Sequence, residues 1–196
     1  MGIELLPAFI HDNYEIHEWK HACAILHSDF PAEWQDLVAL LEQFRLCRSW
    51  VDTPGGSKSK VAKAIDRFLF NRGWRERKFA TSVQVDDRIT ESPTHMVDCF
   101  KNGIALEIEW NNKDPFFDRD LNNFRLLFDL RVVSVGIIIT RCDDLQQIFD
   151  DLGRGSSYGA STTHMAKLLP RIQGGGGGGC PILVFGITRK LYTETC

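Results

Sequence analysis

Residues 132–140 read VVSVGIIIT. A nearly continuous β-branched run of this kind belongs to a strand covered on both faces, not to one with a wet side. PILVFGI (181–187) is a second such stretch. Around them the period is helical: DRDLNNFRLLFDL (118–130) spaces Leu121, Phe124, Leu127 and Phe128 along one face, and further helices are expected over 143–151 and 161–172. Strand and helix in alternation predict an α/β domain with a mixed central sheet flanked by helices. Upstream, 14–28 and 32–46 read as amphipathic helices, the second opened by Pro31. SKVAKAIDRFLFNRGW then aligns Val61, Ile65, Phe68 and Leu69, with Ser57 as the expected N-cap and Gly73 as the stop. The expected organisation is one domain over 1–196, helical to about residue 78 and a sheet core from about 79. Its first strands are expected near 80–85, 95–100 and 104–110, and Gly174–Gly179 as a flexible run.

At 196 residues the chain can bury a substantial core. No apolar run reaches the length of a bilayer span, and MGIELLPAFIHDN has no basic segment ahead of an apolar one, so a soluble cytoplasmic protein with no membrane contact is expected. Cys23, Cys47, Cys99, Cys142, Cys180 and Cys196 show no CxxC spacing, which predicts reduced, mostly buried thiols. The net charge of −3 argues against indiscriminate coating of nucleic acid, but the charge is uneven. Residues 58–78 hold eight Lys or Arg, among them Lys58, Lys60, Lys63 and Arg67, against Asp66 and Glu76. A basic segment on an acidic body suits a protein that meets DNA phosphates with one face and gathers acids elsewhere. A solvated helix face is the alternative.

VDCFKNGIALEIEW (97–110) is where those acids gather. Asn102-Gly103 favours a two-residue type I′ hairpin. That turn sets Lys101 opposite Ile104 and Asp98 opposite Glu107, and it puts Ala105, Glu107 and Glu109 on the face opposite Ile104, Leu106, Ile108 and Trp110. Directly opposed residues have Cβ atoms roughly 4.5–5.5 Å apart, where like charges destabilise. A divalent cation would offset the repulsion, and Mg²⁺ commonly takes one or two carboxylates while leaving room for waters and phosphate oxygens. An antiparallel hairpin with one wet face could also carry such acids without any chemistry. The segment WNNKDPFFDRD that follows supplies Asn, Lys and Arg, side chains suited to base edges and phosphates.

One other motif competes. HEWKH (17–21) matches HExxH, with His27 where a third zinc ligand would stand. On a helix His17 and His21 share a face, but position 24 is Ala rather than the Gly that would turn the chain back toward His27. GGSKS (55–59) lacks the spacing of a phosphate loop, and Gly153, Gly155 and Gly159 open no helix directly after a strand.

Asp98, Glu107 nine residues on, and Glu109 resemble the PD-(D/E)XK nuclease core, with Glu where the last position is usually Lys. The BamHI, BglII and BstYI kind of type II restriction endonuclease also lacks that Lys. Resemblance to the BglII/BstYI group extends to the helix ending in NRGW (71–74), the VGIIIT strand, and SSYG followed by a helix and PILVFGI. It implies a restriction-endonuclease-like fold in which Asp98, Glu107 and the backbone carbonyl of Ile108 hold Mg²⁺, with Mn²⁺ able to substitute, and Glu109 binds or orients the attacking water. A further polar residue upstream is implied, for which Gln84 and Glu91 are candidates. Asn111, Asn112 and Lys113 resemble the segment that reaches the major groove, and Arg154, Ser156 and Ser157 the second recognition loop. The implied protein is a homodimer that cuts both strands of a short palindromic, GATC-centred DNA site and leaves 5′ phosphates, alongside a methyltransferase of the same specificity. Two readings from other classes stay open: a non-catalytic DNA-binding protein whose acids are structural, and a zinc peptidase built on HEWKH.

Overall fold

The computed structural model describes residues 2–53, 58–91 and 94–196. Along the chain, α1 (Ala8–Asn13) leads into β1 (Tyr14–Trp19), α2 (Ala22–Asp29) and α3 (Pro31–Gln43). β2 (Leu46–Cys47), α4 (Arg48–Val51) and α5 (Lys60–Phe70) follow. Then come β3 (Arg75–Arg77), the hairpin of β4 (Ser82–Val85) and β5 (Arg88–Glu91), the hairpin of β6 (Val97–Lys101) and β7 (Ile104–Glu109), and α6 (Pro115–Asp129). β8 (Val135–Arg141), α7 (Gln146–Asp151), α8 (Met165–Gln173), β9 (Ile182–Ile187) and β10 (Tyr192–Thr193) complete it.

Six strands form the main sheet in the order β1-β9-β8-β7-β6-β3. β7, β8 and β9 run parallel, and β6, β3 and β1 are added antiparallel at the two sides. The β-branched runs occupy the centre as expected: every residue of β8 and β9 is buried. One face carries Ile104, Leu106, Ile137, Ile139 and Phe185 against α2, α3 and α5. The other carries Ala105, Ile138 and Val184 against Phe117, Leu121 and Phe124 of α6 and Leu168 of α8. Helices on both faces of a mixed sheet make the α/β architecture expected from the sequence. Gly136 on β8 matters to the second layer, because a Cβ there would collide with the Phe124 ring. Its absence lets α6 lie close to the sheet.

The N-terminal region departs from a purely helical part. Residues 14–28 form not one helix but a strand and a helix, since Tyr14–Trp19 pairs antiparallel with Ile187–Ile182 and covers what would otherwise be an open edge of β9. Lys20 and His21 turn the chain with φ of 55° and 59° before α2 begins. β3 likewise joins the main sheet from before residue 79. The strand expected near 80–85 is half of a separate two-stranded hairpin, β4 with β5, exposed throughout. Ser57 lies outside the described residues; Ser59 caps α5, its side chain accepting the Ala62 N–H at 3.0 Å. Gly73, at φ 90°, ends that helix. Gly174–Gly179 is wound into turns against α6, where Gly178 faces Arg125 and Gly179 faces Phe128. Of the cysteines, Cys23, Cys99, Cys142 and Cys180 are free and buried, but Cys47 and Cys196 form a disulfide. β10 pairs with β2 and brings the two together across a sequence separation of 149, a proximity that spacing alone does not reveal. Among the described residues no helix is long and apolar enough to cross a membrane.

Candidate active site

The Asn102-Gly103 turn forms with both residues at positive φ, 47° and 87°, as a type I′ turn requires. The ladder it sets runs Lys101↔Ile104, Phe100↔Ala105 and Cys99↔Leu106. The ladder stops short of Asp98. On its other side β6 pairs Phe100 with Arg75 but Val97 with Arg77, so an extra residue bulges out of the strand between them. Asp98 therefore meets Glu107 through the backbone rather than as a ladder partner. Its N–H donates to Glu107 Oε2 at 3.2 Å, and the Ile108 N–H donates to Asp98 Oδ2 at 3.0 Å. Lys58, just ahead of the Ser59 cap of α5, lies 3.8 Å from Asp98 Oδ1 and also pairs with Asp66.

β7 has no wet face. It lies between β6 and β8, and Glu107 and Glu109 are each 1% exposed. Their side chains share the face of Ala105, beneath α6. There the second turn of α6 presents Asp120, 0% exposed, and Arg119. Arg119 Nη2 lies 3.1 Å from Asp120 Oδ1 and 3.7 Å from Glu109 Oε1. Asn112 Nδ2 donates to Glu109 Oε2 at 2.9 Å, and the Glu109 carbonyl accepts the Thr140 hydroxyl at 2.9 Å. His95, just before β6, points Nε2 at Asp120 Oδ1 (3.1 Å) and Glu107 Oε1 (3.5 Å). Solvent-excluded acids in a low-dielectric setting resist ionisation. Burial pushes Glu107 up to about 8, and burial followed by the Asp120 charge pushes Glu109 up. Asp98 is also raised by burial, against the Ile108 N–H and Lys58. For His95, burial disfavours the imidazolium, but Asp120 and Glu107 outweigh it and lift the group to about 9.

These groups form one wall of a cleft of about 720 Å³. Asp98, Ile108 and Glu109 line it, as do Asn111, Asn112, Arg154 and Ser157 from the two expected recognition segments and Lys58, Lys60 and Lys63 from the basic one. Glu107 sits behind that wall, while Arg67, Lys113 and Ser156 fall outside the lining. The recognition segments are tied together: Thr163 N–H donates to the Asn112 carbonyl at 2.8 Å, Asn112 N–H to Thr163 Oγ1 at 3.1 Å, and Lys113 bridges Thr162. Arg141, 2% exposed, holds the second segment from beneath by donating to the Tyr158 carbonyl and Thr162 Oγ1. Gln84 and Glu91 lie on the exposed β4–β5 hairpin and do not line the cleft.

Sequence reasoning missed His95, Arg119 and Asp120. Asp120 had a signal, for it stands three residues after Phe117 and four before Phe124, an acid on the buried stripe of its own helix. Arg119 is the Arg of WNNKDPFFDRD, read there only as a contact to nucleic acid, and His95 had no signal. The HEWKH motif loses its geometry: His17 and Glu18 lie on a β-strand, His21 on the turn after it, and Glu18 accepts the N–H groups of Gly2 and Cys23. Histidines so placed do not share the helix face that a zinc peptidase site requires.

None of the curated proteins compared with the chain matches it. A family model described as restriction endonuclease BglII/BglIII matches residues 14–187, which is the span from the first residue of β1 to the last of β9. The match covers the whole main sheet with the acidic cleft at its centre, and the chain belongs to this family of type II restriction endonucleases, the site-specific deoxyribonucleases.

Proposed function

We propose that the cleft cuts both strands of a short palindromic DNA site in a divalent-metal-dependent reaction, with Asp98, Glu107 and the Ile108 carbonyl holding Mg²⁺ and Glu109 aligning the attacking water. The observation that carries this reading is the burial of Glu107 and Glu109 in the strand beside Asp98, a cluster of carboxyl groups that resist ionising together unless a cation joins them. The residues fit a hard cation: the donors are carboxylate and carbonyl oxygens, and Asp98 and Ile108 line the cleft directly in front of Glu107. Bound there, Mg²⁺ or Mn²⁺ supplies Lewis acidity toward the phosphoryl group and lowers the pKa of water.

The chain's own groups do the rest. Lys58, Lys60 and Lys63 line the cleft mouth as partners for the phosphate backbone. Glu109 is fixed between Asn112 and Arg119, beside the place where the attacking water would give up its proton. Water oxygen bonds to phosphorus, the bond to the 3′ oxygen breaks, and that oxygen leaves as a hydroxyl, so the new ends carry 5′ phosphates. Asn111, Asn112, Arg154 and Ser157 face the same space and read the bases, with Lys113 and Ser156 in support, and GATC is the proposed centre of the site. Two-fold DNA calls for a two-fold protein, hence a homodimer. A cytoplasmic setting and a methyltransferase of matching specificity, acting without direct contact, complete the reading.

Plasmid digestion tests it. Discrete fragments with Mg²⁺ and none with EDTA are expected, and sequencing the fragment ends gives the recognition site and the 5′ phosphates together. Sequence-specific binding without cleavage in Mg²⁺ or Mn²⁺ would favour the non-catalytic DNA-binding reading.

A further inference from the structure

We propose that His95, Glu107 and Asp120 form a second cation position with one nitrogen and two carboxylate donors, set behind the Asp98 position and sharing Glu107 with it. The inference rests on the nuclease reading only through that shared residue. One donor atom from each of the three side chains lies within 4.8 Å of the others. The two oxygens of Glu107 face different neighbours, Oε2 the Asp98 N–H and Oε1 the His95 ring, so one carboxylate can serve both positions.

The independent observation is an orphaned oxygen. Asp120 is 0% exposed, its Oδ1 accepts from Arg119, and its Oδ2 has no hydrogen-bond partner; Glu107 Oε1 and His95 Nε2, which lies 3.1 Å from Asp120 Oδ1, are in the same condition. Buried carboxylate oxygens are ordinarily satisfied. The close approach of α6, which Gly136 permits, brings Asp120 to β7, so the gathering follows from the fold rather than from one rotamer. Access runs through the cleft, which His95 lines. When a cation enters, the imidazole gives its proton to solvent and a neutral nitrogen donor remains beside two carboxylates, whose charge matches a divalent ion. Imidazole nitrogen with carboxylate oxygen suits Mn²⁺ and the later transition metals better than Mg²⁺. A cation there would hold Glu107 ionised and aimed at the Asp98 position.

Manganese binding to the untagged, DNA-free chain tests this. Free Mn²⁺, counted by its electron paramagnetic resonance signal, should report two bound ions per chain, and pulsed measurements should detect nitrogen coupling to one of them. His95→Gln should abolish the nitrogen coupling and one bound ion, and Asp120→Asn should weaken the same ion by tenfold or more, whereas Asp98→Asn should remove only the other. Absence of nitrogen coupling in the parent chain overturns the proposal, and this holds even if a variant folds poorly. A single ion lost with Asp98→Asn and indifferent to His95→Gln also overturns it, while leaving the Asp98 reading intact. A nitrogen-coupled ion alone, indifferent to Asp98→Asn, upholds the second position and contradicts the first.

Discussion

Asn112 Nδ2 donates a hydrogen bond to Glu109 Oε2 at 2.9 Å. A residue expected to read DNA thus touches a residue expected to cut it, across a single turn of backbone. Asn112 is in turn stitched to Thr163, beyond the second recognition segment. A base that pulls on Asn112 would release or re-aim Glu109, which provides a physical route from recognition to chemistry.

Asn112→Ala should therefore affect both steps. A hydrogen bond to a charged group contributes about 1.5–3 kcal/mol, so the single-turnover cleavage rate should fall roughly 10- to 100-fold, and the ratio of cognate to random affinity should fall with it. Single-turnover kinetics and competition binding separate the two. An unchanged cleavage rate would mean that the hydrogen bond to Glu109 has no part in the reaction.

The basic segment divides in two. Lys60 and Lys63 line the cleft, whereas Arg67 does not, and Lys58 is already paired with Asp66 and Asp98. Lys60→Gln with Lys63→Gln should weaken binding to all DNA sequences and flatten the plot of log affinity against log salt by about 0.9 for each phosphate no longer neutralised. Arg67→Gln should leave the slope alone. Equal slopes for all of them would remove the phosphate assignment.

How much of this is legible in the sequence depends on the range of the cause. The Asn102-Gly103 turn and the central strands β8 and β9 follow from local sequence and stand as expected, whereas Asp98 comes beside Glu107 through the backbone and not as the ladder partner expected. β1 reads as helix because its apolar residues run on into those of α2, and only pairing with β9, near the other end of the chain, makes Tyr14–Trp19 a strand. The bulge at Asp98 depends on β3, and the positions of His95 and Asp120 depend on how closely α6 packs. Non-local packing leaves no periodic trace, so these parts of the site needed the fold.

Metal-free stability should fall as pH rises. Glu107 is raised from its ordinary value to about 8, so its neutral form stabilises the fold fully below about pH 4.5 and that contribution is lost on the way to 8. His95 is raised from 6.5 to about 9, so its contribution is complete below 6.5 and is lost as pH approaches 9. Both act in the same direction. Melting temperature in EDTA should decline from pH 5 to 9, and Glu107→Gln should decline less steeply. A parent chain that gains stability over this range would show that the acids are not held as described.

The most direct test sets melting against cutting in Asp98→Asn and Glu107→Gln. Each removes one charge at nearly constant shape. In metal-free buffer each variant should melt no lower than the parent, because a neutral amide needs neither the crowding of carboxylates nor the uptake of a proton that burial imposes on Asp98 and Glu107, and Mg²⁺ should raise its melting temperature less than it raises the parent's. Specific DNA binding should survive, and cleavage should fall by orders of magnitude. A variant that loses stability without metal and still cuts at the parent's rate would contradict the assignment of Asp98 and Glu107 as the acids of the nuclease site.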